Sequence, residues 1–97
     1  MIKVKYTKSS IRVCGHALYA KKGKDIVCAG VSAIVFGAIK WFNPKDIKIK
    51  QDKKNNSFEL ILKKCSKQNM LLLDLIVTQL KPIEKHYSRY IKISKGR

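Results

Sequence analysis

Between Asp25 and Lys40 lie fourteen residues without a charge, Ile26 to Ile39, the longest such stretch in the chain. In a 97-residue chain with 22 Lys and Arg against 6 Asp and Glu, this block constrains the fold more than any other feature. It is shorter than the roughly 20 apolar residues that cross a bilayer, and it carries Gly30 and Gly37, so it reads as a buried helix. Asp25 is suited to cap it, because a carboxylate there accepts from the free amides of the first turn. The helix is expected from about Ile26 to Lys40. With Ile26, Val27, Ala29, Val31, Ala33, Ile34, Val35 and Phe36 spread around it, it is expected to be buried on most sides, and Asn43-Pro44 closes it.

The flanks of this block alternate with period two. Ile2, Val4 and Tyr6 interleave with Lys3 and Lys5, Thr7 to Ser10 is a polar turn, and Ile11 and Val13 carry a return strand. By alternation, Arg12, Cys14 and His16 share one face of that strand. Beyond the helix, Ile47 and Ile49 point inward on one strand, Asp52 to Asn56 is a polar turn, and Phe58, Leu60 and Leu62 form the partner. Ser66 is placed to cap a second helix with apolar steps Leu72, Leu75, Ile76, Leu80, Ile83 and Tyr87, which Pro82 is expected to kink or restart. Tyr90, Ile91 and Ile93 suggest a last strand before a basic tail. Trp41 and Phe42 read as packing at the helix end, and Cys65 and His86 as structural. The order ββαββαβ predicts an α+β layered domain over residues 1–97, one mixed sheet packed with two main helices. The residues after Met1 lack the apolar core of a secretory leader, so a soluble, cytoplasmic protein is expected.

The formal net charge of +16 predicts attraction to polyanions, RNA or the ribosome foremost. Nineteen of the 22 basic residues are lysine, dispersed from Lys3 to Lys95, which is also the pattern of a solvated surface. Neither an RNA-recognition aromatic signature nor a Gly-x-x-Gly loop accompanies them. The three cysteines, Cys14, Cys28 and Cys65, form no Cys-x-x-Cys pair, which argues against a disulfide scaffold, a zinc knuckle and a thiol redox centre. No metal and no cofactor is expected.

With Asp25 as cap, Cys28 occupies the third helical position, at the positive end of the helix dipole and among unpaired amides. Such a setting favours a thiolate. A thiolate nucleophile also needs a proton donor for the leaving group, and His16 lies twelve residues before Cys28 at a strand end. The exposed loop between them, with Lys21-Lys22-Gly23-Lys24, is placed to act as a lid. Gly15 allows close backbone approach, and its amide is a candidate oxyanion donor. Ser32 falls one turn beyond Cys28 on the same face. Two readings of these residues stand at this point: a Cys28–His16 dyad supported by Gly15, Asp25 and Ser32, or a capped helix with a core cysteine and a surface histidine. Asp25 likewise has two possible roles, cap alone or cap and orienter of His16.

The string Gly15-His16-Ala17, Gly23, Asp25-Ile26-Val27-Cys28-Ala29 and Val31-Ser32-Ala33 resembles the signature of the ribosomal-processing cysteine protease (Prp) family. Tyr87-Ser88-Arg89-Tyr90-Ile91-Lys92-Ile93 fits the family's ending more loosely, with Ser88 where a proline is usual. The resemblance implies a cytoplasmic, homodimeric cysteine endopeptidase that removes an N-terminal extension from a large-subunit ribosomal protein. It implies Cys28 as nucleophile and His16 as acid/base partner, with Gly15, Asp25 and Ser32 in supporting positions. The high charge leaves room for added rRNA or ribosome contact, and a non-enzymatic basic module binding rRNA is the competing function.

Overall fold

The computed structural model describes residues 1–21 and 23–96. Its elements follow the expected order: β1 (Ile2–Thr7), β2 (Ser10–Cys14), α1 (Ile26–Ile39), a 3-10 turn (Pro44–Asp46), β3 (Ile47–Asp52), β4 (Ser57–Leu62), α2 (Lys67–His86) and β5 (Ile91–Lys95). The strands form one sheet in the order β3-β4-β2-β1-β5. All neighbours are antiparallel except β1 and β5, which makes the sheet mixed.

Alternation decides the faces. Ile2, Val4, Ile11, Phe58, Leu60, Leu62 and Ile91 are buried and join Val27, Val31 and Val35 of α1 and Leu73, Ile76, Val77 and Leu80 of α2 in one core. Their strand neighbours Lys3, Lys5, Arg12, Lys48, Lys50 and Lys92 are exposed. The sheet therefore has an apolar face under the helices and an open, basic face. Asn69, the one buried polar residue among the described residues, fixes the start of α2 by donating to Asp46 Oδ2 at 3.1 Å and to the Lys64 carbonyl at 3.0 Å.

Five expectations are corrected, in whole or in part. α1 buries only Val27, Val31 and Val35, while Ile26 is 53 % and Phe36 44 % exposed, because sheet and α2 cover a single side of it. In α2 the expected positions Ile76 and Leu80 are buried and Leu72, Ile83 and Tyr87 pack against the core, but Leu75 is 48 % exposed, and Leu73 and Val77 are buried as well. Pro82 does not restart α2, which runs through it to His86; the apolar contacts of Leu80 and Ile83 hold the last turn in place. Trp41 is 75 % exposed and only Phe42 packs, and Ile49 is 43 % exposed because β3 is an edge strand.

Truncating a fully buried stripe residue leaves a cavity, whereas trimming an exposed one does not. Leu80→Ala should lower the unfolding free energy by about 2–5 kcal/mol in urea titrations, and Leu75→Ala by less than about 1 kcal/mol.

Candidate active site

The site begins at the N-terminus of α1. Asp25 Oδ1 accepts from the amides of Val27 at 3.1 Å and Cys28 at 3.0 Å, which places Cys28 in the first helical turn as expected. The second oxygen, Oδ2, accepts from the Tyr19 amide at 3.1 Å. One carboxylate thus closes the helix start and ties the preceding loop to it. Hydrogen bonds from the Cys28 amide first, and from Tyr19 after it, hold the Asp25 carboxyl below its ordinary value of 3.8, against the opposing effect of desolvation. His16 is not a hydrogen-bond partner of this carboxylate.

The sulfur of Cys28 is half-buried. Its backbone donor is the Ala17 amide, 3.4 Å from Sγ, so the loop as well as the helix supplies its polar environment. Ala17 is itself 3 % exposed and anchors the loop in the core. Farther along, Tyr19 packs edge-on against Tyr87 and Tyr90, with ring centroids 5.5 and 5.1 Å apart. The loop proposed as a lid is therefore fastened at its beginning. Lys22 of its basic tip lies outside the described residues.

His16 reaches the site through Gly15. Gly15 has φ +91°, and a β-carbon there would collide with the Met1 carbonyl oxygen. This kink ends the alternation of β2, so His16 does not share a face with Cys14 as expected. The Gly15 amide donates to the Asn56 carbonyl at 3.0 Å and is thereby taken up, which removes it as an oxyanion donor. Asn56 Nδ2 lies 2.5 Å from the Gly15 carbonyl and 3.3 Å from His16 Nδ1. Among the described residues, no hydrogen bond joins the imidazole to Sγ.

Two clefts meet here. One, of about 320 Å³, lies between α1 and the β3–β4 hairpin, with Val31, Val35, Phe36 and Phe58 on its apolar wall. The other, of about 580 Å³, lies under the loop, against Leu18, Gly23, Asp25 and Ile26. His16, Cys28 and Ser32 are the residues that line both. The structure thus brings together the expected nucleophile, its partner and the supporting serine. Cys14, exposed Cys65 and exposed His86 line neither cleft, and no cluster suited to a metal ion occurs among the described residues.

Residues 1–92 match the family model described as Cysteine protease Prp. The chain belongs to the Prp family. Within it, this chain is 37 % identical over 97 residues to the ribosomal processing cysteine protease Prp of Mycoplasma pneumoniae, covering all of this chain and 97 % of that one. It is 31 % identical over 94 residues to the Bacillus subtilis protein of the same name, covering 88 % of this chain and 83 % of that one. The crystal structure of the Staphylococcus aureus ribosomal processing protease Prp with a covalently linked product peptide superposes with a TM-score of 0.90 at 27 % identity, covering 99 % of this chain and all of that one. A second S. aureus structure, with a substrate peptide, gives a TM-score of 0.82 at 26 % identity over 99 % and 100 % of the two chains. Like these Prp relatives, the chain is a cysteine protease.

The residue that sequence reasoning missed in this Prp chain is Asn56. It was read only as part of a polar turn, yet its φ of +47° and its bonds to Gly15 and His16 place the hairpin tip against the site. The available signal was the Asn-Asn pair closing the turn, since asparagine tolerates positive φ.

The lowered Asp25 value carries a pH signature. Because the folded carboxyl titrates below its unfolded counterpart, its stabilisation is complete above the ordinary value and is lost as the pH falls through the lowered one. Asp25→Asn keeps a capping oxygen but no titrating charge. In acid-titrated unfolding followed by circular dichroism, the stability gap between wild type and Asp25→Asn should narrow steadily below about pH 4; a constant gap contradicts the assignment.

Proposed function

We propose that the chain is an endopeptidase that removes the N-terminal extension of a large-subunit ribosomal protein, with Cys28 as nucleophile and His16 as its acid/base partner. The observation that carries this reading is the shared lining of the two clefts: His16, Cys28 and Ser32 stand at their junction. A peptide lying in both clefts has its scissile bond over Sγ. The thiolate attacks the carbonyl carbon, the C–N bond breaks with His16 giving its proton to the departing amine, and water then hydrolyses the thioester to restore the thiol. Asp25 holds the helix and loop that carry the sulfur, Gly15 makes the kink that delivers His16, and Ser32 borders both halves of the groove.

The finer partners follow from two surfaces. On α2, Leu71 and Leu75 are exposed one turn apart and outside both clefts, which supports a homodimer formed through this face. On the open sheet face, the register sets Lys5 opposite Arg12 and Lys3 opposite Lys92. Like charges directly opposite one another are unfavourable in an isolated sheet, and this supports contact with rRNA phosphates on the ribosomal particle. A cytoplasmic location and a single domain over residues 1–97 complete the reading; no helix among the described residues is long and apolar enough to cross a membrane.

The test is incubation with a ribosomal-protein precursor that carries its extension. Wild type should cleave it, while Cys28→Ala, Cys28→Ser and His16→Ala should each lose on the order of 10³-fold or more in kcat/KM. Undiminished cleavage by Cys28→Ala would falsify the assignment.

A further inference from the structure

The imidazole of His16 is held by a residue forty positions away, and the direction of that hydrogen bond can be deduced. Asn56 presents its side-chain nitrogen at 2.5 Å to the Gly15 carbonyl. A carbonyl oxygen only accepts, so the atom facing it is the amide NH2 and not Oδ1. The same nitrogen stands 3.3 Å from His16 Nδ1. Its two hydrogens serve the two acceptors together. A ring that accepts at Nδ1 carries its proton on Nε2.

We infer that Asn56 is a positioning residue that fixes His16 in the Nε2–H tautomer and holds the ring in a resting arrangement. The inference rests on the dyad reading above and adds a condition to it. While Asn56 donates to Nδ1, neither ring nitrogen has a lone pair free for the thiol proton. Nε2 is already protonated, and an Nδ1–H would face the amide hydrogens. The ring must leave Asn56 before the proton of Cys28 passes to it, which agrees with the missing bond between ring and sulfur. The hairpin tip is a stable platform for this role. The Gly15 amide bonds the Asn56 carbonyl at 3.0 Å, so side chain and backbone of one residue clamp the Gly15–His16 segment. A φ of +47° at Asn56 suits asparagine, aspartate and glycine, so substitution by the latter two keeps the backbone of the turn while removing the side-chain bond to the Gly15 carbonyl.

The test is ¹⁵N NMR of the imidazoles in the full chain, where His16 and His86 are the only histidines. In wild type above the imidazolium range, His16 should show a protonated Nε2 and an accepting Nδ1. Asn56→Gly should give averaged tautomers, and Asn56→Asp, whose carboxylate only accepts, should shift the proton to Nδ1. Amide dispersion in the same samples reports whether the fold is kept. Freed of the competing contact, Cys28 in Asn56→Gly should also react about five-fold faster with iodoacetamide near neutral pH, the factor set by one ordinary hydrogen bond. A purely structural turn residue moves neither readout. An unchanged tautomer in Asn56→Gly, or a Cys28 reaction no faster than wild type, overturns the inference. Both measurements are independent of peptide cleavage, so they separate failure of this inference from failure of the protease assignment.

Discussion

The carboxylate of Asp25 is the interaction on which the site depends. Through Oδ1 it starts α1 at the right residue, and through Oδ2 it draws Tyr19 of the preceding loop onto the helix end. The loop then lies where the Ala17 amide meets the sulfur. Had the helix begun one residue later, Cys28 would turn through about 100° and lose both the cleft and this donor. The cap also has an electrostatic effect. A negative charge at the helix N-terminus takes up the Val27 and Cys28 amides, so the donor that meets the sulfur is a neighbouring loop amide.

The second constraint is the kink at Gly15. The sheet brings β2 beside β4, and the register sets Cys14 opposite Ser57, so the residue that follows β2 and the residue that precedes β4 fall at the same edge. There the Gly15 turn and the Asn56 turn, both at positive φ, interlock through backbone and side-chain bonds. A histidine is delivered by one turn and restrained by the other. The sheet thus furnishes the histidine, the helix furnishes the sulfur, and the clefts meet between them.

Much of this was legible in the chain. Period-two alternation marked both hairpins because β1, β2 and β4 each have one covered face, and Asp25 and Ser66 announced the two helix starts by chemistry that needs no tertiary partner. The dense motif from Gly15 to Ala33 named the residues that meet at the clefts. Phase was not legible where the sequence is uniform: α1 is apolar on every side, so nothing in it says that Val27, Val31 and Val35 face the core while Phe36 does not. In α2 Ile76 and Leu80 are buried as the steps of three and four indicate, but the leucine-rich run does not reveal that Leu73 and Val77 are covered while Leu75 is not. The neighbourhood of β1 and β5 and the contact between Asn56 and His16 arise from pairing at long sequence separation. A reading of local pattern has no access to either.

The most direct test is to see which atom carries the acyl group during turnover. Wild-type protein mixed with a precursor bearing its N-terminal extension, quenched in acid within the first turnover and mapped by peptide mass spectrometry, should yield a thioester adduct on the peptide containing Cys28. An adduct on Cys14 or Cys65, or cleavage that proceeds under rapid quench with no acylated cysteine at any time point, would contradict the account.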